Sequence, residues 1–189
     1  MKNLYLTAVL PPSQLSEQID DIRKECAEQF DVKAALKPPV HITLFRPFFL
    51  EAERERQLIR LLSPITYNHQ RFEIVCENFD TFNSQVVFIR VLKSEALGNL
   101  QREIAGIYNR NKIDPKEVKG NSAFHPHITI AYRDIPASVF PELWSVYKNR
   151  KFKRSFTIDR FTLLKHDGKK WQPFQEFYFR KQKEVSLFG

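Results

Sequence analysis

Apolar positions along this chain switch repeatedly between two periods. Leu4 to Leu10 is a nearly continuous apolar run of strand length, and the following Leu15, Ile19, Ile22, Cys26 and Phe30 fall three or four residues apart. That second spacing marks one face of a helix, so a buried strand and then a helix from about Pro12 to Phe30 are predicted. Pro38-Pro39 interrupts regular structure, and Val40 to Leu50 is extended and apolar again. Glu51 to Leu62, rich in Glu, Arg and Leu, predicts a second helix. Phe72, Ile74 and Cys76 alternate, Val86 to Val91 is largely β-branched, and Asn83-Ser84 between them predicts a hairpin.

The second half repeats the order. Leu97, Leu100, Ile104 and Ile107 predict a helix from about Ser94 to Arg110, a polar loop runs through Gly120, and an extended run begins near Phe124. Val139, Phe140, Leu143, Trp144 and Tyr147 mark another helix, followed by extended stretches at Phe152 to Ile158, Phe161 to Leu164 and Trp171 to Phe179. The expected architecture is α+β: one domain spanning residues 1–189, built as two pseudo-symmetric lobes. Each lobe would be an antiparallel sheet with helices outside, and the two would form a central groove.

Composition narrows the class. A chain of 189 residues with 42% hydrophobic content can bury a core. No apolar stretch approaches the ~20 residues of a membrane helix. Leu4 to Leu10 is too short for a leader, contains Thr7 and runs into Pro11-Pro12 rather than a small-residue cleavage site. Cys26 and Cys76 lie 50 residues apart without a zinc-like partner spacing, so both read as buried free thiols. A cytoplasmic, monomeric enzyme or binding protein is expected. The formal net charge of +8 favours an anionic partner such as a nucleotide or RNA.

The chemistry is concentrated in two tetrapeptides, His41-Ile42-Thr43-Leu44 and His127-Ile128-Thr129-Ile130. Random placement of the His and Thr residues would produce a His-x-Thr triplet well under once, and two occur. In a strand, alternate side chains share a face. His41 and Thr43 can therefore face a cleft while Ile42 and Leu44 enter the core, and His127 and Thr129 can do the same against Ile128 and Ile130. Two such strands would present two imidazoles, able to take or give a proton near neutral pH, and two hydroxyl donors.

Pro39-Val40-His41-Ile42-Thr43-Leu44 and Phe124-His125-Pro126-His127-Ile128-Thr129-Ile130-Ala131 resemble the two motifs of the two-histidine phosphoesterase superfamily, most nearly its 2′-5′ RNA ligase and cyclic phosphodiesterase branch. The resemblance implies a bilobal fold with a concave groove. It also implies cofactor-free, metal-independent hydrolysis of 2′,3′-cyclic phosphodiesters, or reversible formation of 2′-5′ linkages, in RNA or nucleotides. Catalytic roles for His41, Thr43, His127 and Thr129 follow from it. The chain departs from the branch in having Phe45-Arg46-Pro47 where a Gly-containing turn often stands, and Tyr132 before Arg133 where an Arg often follows the Ala directly. Both changes fall on the expected groove rim and bear on substrate choice.

Around the motifs, Arg46 and Arg133 are expected to hold phosphate through the forked geometry of guanidinium, with Lys37, Arg90, Lys119 and Lys165 as further basic candidates. His125 shares a strand face with His127 and is expected to orient the motif or touch substrate. A metal site centred on His125 and His127 is the competing reading, weakened by the lack of an acidic residue near either motif. His69 reads as a loop residue, and His166, ahead of the Asp167-Gly168 turn signal, as a turn residue that could border the groove. Lys148 to Arg154 reads as a solvated helix end or a nonspecific RNA contact. A noncatalytic RNA-binding protein that keeps the same groove is the second functional class. The duplicated acid/base residue favours the enzyme, because binding needs no second histidine.

Overall fold

The computed structural model describes residues 1–114 and 123–180. Its elements run β1 (Lys2–Val9), α1 (Ser13–Phe30), β2 (Ile42–Glu51), α2 (Glu55–Leu62), a single-turn α3 (Ile65–Asn68), β3 (Phe72–Phe82), β4 (Val86–Val91), α4 (Glu95–Arg110), β5 (His127–Tyr132), α5 (Phe140–Tyr147), β6 (Lys153–Ile158), β7 (Arg160–His166) and β8 (Trp171–Tyr178). Helix α1 buries Leu15, Ile19, Ile22, Cys26 and Phe30, the stripe its spacing predicts. Ser94 caps α4 by accepting a hydrogen bond from the Leu97 amide at 3.3 Å. Asn83 and Ser84 both take positive φ, the primed turn that matches strand twist in a tight hairpin.

Two four-stranded antiparallel sheets form, in the orders β2-β1-β7-β8 and β5-β4-β3-β6. The α+β class and the two-sheet architecture are as expected, but the lobes are not the two halves of the chain. The second half supplies β7 and β8 to complete the sheet begun by β1 and β2, while β3 and β4 from the first half join β5 and β6. Hydrophobic burial drives this exchange, since a two-stranded hairpin is marginal alone and gains stability by adding strands with a shared apolar face. One core cluster, including Tyr5, Ile42, Ile89, Leu100, Ile128 and Phe161, runs between both sheets and the helices.

The repeating unit is strand, helix, edge strand: β1-α1-β2 in one sheet and β4-α4-β5 in the other. The likeness extends to a register defect. Thr7 and Ala8 pair with Phe45 and Thr43, which leaves Leu44 as an extra residue; Val87 and Phe88 pair with Ala131 and Thr129, which leaves Ile130 extra. Each β-bulge thus falls on the fourth residue of a His-x-Thr motif. A bulge bends and twists its strand locally, so both motif strands turn at the same point, and Leu44-Phe45 and Ile130-Ala131 are consecutive buried pairs. Ile42 and Ile128 are fully buried, as the alternation requires. The loop through Gly120 that sequence predicts, with Lys119, lies largely in 115–122, outside the described residues.

Candidate active site

His41 stands just ahead of β2 and His127 opens β5, each after a segment whose prolines have no amide to donate to the ladder. The two imidazoles are anchored by the same hydrogen bond. His41 Nδ1 donates to the Pro39 carbonyl at 2.7 Å, and His127 Nδ1 donates to the His125 carbonyl at 2.7 Å. Each bond is to the residue two positions earlier, and each fixes the tautomer in which the neutral ring keeps its lone pair on Nε2.

A cleft of about 380 Å³ opens where β1, β2, β5 and the end of β7 converge. Its walls include the polar His41, Thr43, Thr129, Lys37, Arg133 and Arg23 together with Leu4, Leu6, His166 and Trp171. The lining carries three permanent cations and no carboxylate, so its field favours an anion. Three of the four expected motif side chains therefore meet in one cavity. His127 does not line it: two residues before Thr129 on the same strand, its ring packs against Phe82 and Phe88, with centroid distances of 5.1 Å to each. It is nevertheless close enough that its charge disfavours a charge on His41.

Burial pushes the His41 imidazole down to about 4, helped by the neighbouring Arg23 and His127 charges and opposed by the Pro39 carbonyl. Burial also lowers His127, with a smaller contribution from His125 and opposition from the His125 carbonyl. Both rings are thus held neutral in the unliganded protein at pH 7, and His41 carries the additional pressure of a nearby guanidinium.

The other expected site residues separate. Arg133 reaches the cleft, exposed, with a left-handed backbone (φ 67°) and its guanidinium 5.2 Å from the Tyr132 ring centre. Arg46 does not reach it. A second shift in register, between Tyr5 and Thr7 against Phe48 and Phe45, places an extra residue on β2 around Arg46-Pro47. Arg46 turns into a separate depression shared with Lys2, Arg54 and Lys112, where it pairs with Asp114 at 2.6 Å. The groove-rim position expected for Arg46 is thereby corrected, the bulge being invisible to simple alternation. His125 is exposed and contributes its carbonyl to His127, while its ring stands 6.3 Å from Phe82. Lys37 and His166 line the cleft; Lys165 pairs with Glu55 at 2.8 Å and Arg90 donates to the Glu77 carbonyl at 3.2 Å, both away from it. His69 is not a free loop residue, since it bonds Glu103 at 2.8 Å.

Arg23 and Asp134 carry roles that the spacing arguments missed. Asp134 accepts from the Lys33 and Ala34 amides at 2.7 and 2.8 Å, tying the end of β5 to the segment that leads into the first motif. Arg23 was legible in principle as a charge inside the apolar stripe of α1. Among the described residues, no three His, Cys, Asp or Glu side chains converge as metal ligands.

The fold is that of the two-histidine phosphoesterase superfamily. A model of the 2′-5′ RNA ligase superfamily matches residues 11–170, and the chain belongs to that superfamily. Similar proteins include one from Geobacillus kaustophilus, 27% identical over 177 residues that cover 92% of this chain and 94% of the relative. Another, from Geobacillus thermodenitrificans, is 29% identical over 152 residues, covering 79% and 82%. Both bear the name "Putative phosphoesterase". Among solved structures, E. coli LigT superposes with a TM-score of 0.70 at 18% identity over 96% of this chain and 100% of LigT. TT0787 of Thermus thermophilus gives 0.69 at 18% identity over 95% and 99%.

Proposed function

We propose that this protein is a phosphoesterase that opens 2′,3′-cyclic phosphodiesters, or reversibly makes and breaks 2′-5′ linkages, of RNA or nucleotides without a metal or other cofactor. The observation that carries the reading is the cation-lined, acid-free cleft into which His41, Thr43 and Thr129 project from two matching bulged strands. E. coli LigT has been crystallised with 3′-AMP, with ATP and with NADP+. A nucleotide phosphate in a protein of the same fold supports the same ligand class here.

Hydrolysis of a cyclic phosphate requires a water oxygen to bond to phosphorus as the bond to one ribose oxygen breaks, with a proton removed from the water and one delivered to the ribose oxygen. His41, kept neutral by burial and by Arg23, is the base in this direction; His127, the less electrostatically opposed of the two, is the acid. Thr43 and Thr129 donate to nonbridging oxygens and orient the phosphorus between the imidazoles. In ligation a ribose hydroxyl replaces water as the nucleophile with the two histidines in the same roles; in the reverse step, which cleaves the 2′-5′ linkage and re-forms the cyclic phosphate, they exchange them.

A turnover screen across 2′,3′-cyclic nucleotides, 2′-5′ oligoadenylates and RNA with cyclic ends, run with and without EDTA, tests the proposal. Turnover of at least one substrate, insensitive to chelator and strongly reduced in His41→Ala, is expected. RNA or nucleotide binding with no turnover of any of these would replace it with a noncatalytic binding protein. Activity lost to EDTA and restored by zinc would replace it with a metal hydrolase.

A further inference from the structure

Arg23 is the most deeply buried charge in the described residues. Its side chain is 1% exposed, yet it forms part of the cleft wall. Three of its hydrogen bonds hold the guanidinium in place. Nε donates to the Thr129 carbonyl at 2.9 Å, and Nη1 donates to the Pro38 carbonyl and to Asp20, both at 3.2 Å. The first bond grips the strand of the second motif and the second grips the proline segment of the first, so one side chain spans the seam between the lobes. Nη2, buried, has no partner among the described residues. A guanidinium N–H pair buried without an acceptor carries an uncompensated desolvation cost, which a carbonyl-only or apolar design would avoid. Asp20 offsets the charge incompletely, since that carboxylate is 40% exposed.

We infer that Arg23 is a substrate-binding residue, with Nη2 donating to a nonbridging oxygen of the phosphoryl group held between the two motifs. The inference rests on the proposed phosphoesterase reading for the identity of the anion. Its own grounds are the orphaned donor, its place in the wall beside His41 and Thr129, and the rigid anchoring of the rest of the fork. Anchoring matters because a donor fixed in advance needs no reorganisation when phosphate arrives, which is the condition under which such donors contribute most. A lysine could not reproduce it: the ammonium is a single point of donation, whereas Arg23 spends two nitrogens on the scaffold and keeps the third for ligand.

The same charge acts on His41. The groups facing that imidazole are Arg23 from α1 and His127 from β5, with Lys37, Tyr132, Arg133 and His166 elsewhere on the cleft wall or at its edge. None of them is a carboxylate. Loss of the Arg23 charge should therefore let His41 titrate at higher pH even with no ligand present.

The test measures binding of inorganic phosphate by calorimetry and titration of His41 by NMR, in the whole protein, for Arg23→Met, Arg23→Lys and Asp20→Asn. Arg23→Met, folded by circular dichroism, should bind phosphate at least tenfold more weakly and raise the His41 titration. Arg23→Lys should keep His41 near its native titration while recovering little of the phosphate affinity. Asp20→Asn removes the countercharge from an exposed position and should tighten phosphate two- to threefold. Should Arg23→Met not fold, the other two variants decide. Unchanged phosphate affinity in Arg23→Lys and Asp20→Asn overturns the inference, as does a folded Arg23→Met with native affinity. These readouts need no turnover. If phosphate binding responds as stated but His41→Ala and His127→Ala leave every substrate's turnover intact, the anion site stands and the phosphoesterase reading fails.

Discussion

The two His-x-Thr strands are built alike and housed differently. Both are edge strands reached through a helix from their hairpin partner, both bulge at the fourth motif residue, and both tie the histidine Nδ1 to the carbonyl two residues back. The surroundings then diverge. His41 lines the cleft and sits beside the buried Arg23 guanidinium, whereas His127 leans on Phe82 and Phe88 with an exposed His125 ahead of it. The arginines that follow the motifs diverge as well, Arg46 pairing with Asp114 and Arg133 reaching the cleft. Duplication of the backbone device provides two equivalent imidazoles; unequal electrostatics around them gives the two a different readiness to hold a proton.

The largest expected effect removes the devices themselves. His41→Ala or His127→Ala should lower kcat by about 10²–10⁴. The double variant should be little worse than the poorer single, because paired acid and base act as a unit. A single variant with near-native kcat and confirmed folding would break the symmetry of roles at its root.

Thr43→Val and Thr129→Val come next. Each removes one hydroxyl donor to a charged oxygen, worth roughly 10- to 100-fold in kcat/KM. Comparable losses would confirm equivalent positions, and a loss confined to Thr129 would show that the phosphate sits against β5.

The pH profile sharpens the difference between the histidines. With His41 as base and His127 as acid, as proposed, activity of the free protein should rise as His41 loses its proton above about 4 and fall as His127 gives up its proton below the usual imidazole value, since burial lowers it. kcat/KM should therefore follow a bell with an acidic optimum, between about 4 and 6.5. kcat should peak at higher pH, because bound phosphate favours protonated imidazoles. Two coincident profiles with an optimum above pH 7 would contradict the environments described.

The same depression has a stability consequence. A histidine that titrates lower when folded than when unfolded leaves the unfolded chain binding more protons in between. The contribution of His41 is full above its ordinary value of 6.5 and is lost as pH falls toward about 4. Differential scanning calorimetry across that window should show Tm falling more in the native protein than in His41→Gln.

The smallest effect separates the two arginines. Arg133→Gln should raise KM a few-fold and reduce the salt slope of nucleotide or RNA binding by about one. Arg46→Gln should leave both nearly unchanged, since its guanidinium is engaged by Asp114 outside the cleft.

Sequence alone determined the periodic elements, the turn at Asn83-Ser84, the burial of Ile42, Leu44, Ile128 and Ile130 and the cleft-facing side of His41, Thr43 and Thr129, because these depend on spacing within one segment. Ile42 enters the core for the same reason that His41 and Thr43 face the cleft: alternate strand residues take opposite faces. Tertiary structure decided what no local pattern encodes. The exchange of β7 and β8 into the first sheet depends on which apolar faces best cover one another across the whole chain. The fates of Arg46 and Arg133, at similar distances from their histidines, were decided by a bulge on one strand and a carboxylate more than 60 residues away. The spacing of α1 puts Arg23 within its apolar stripe, but only packing against β5 and the Pro38 carbonyl shows it to be a buried cation that ties both motifs together. Spacing sets which way a side chain points along its own segment, and long-range packing sets what it meets there.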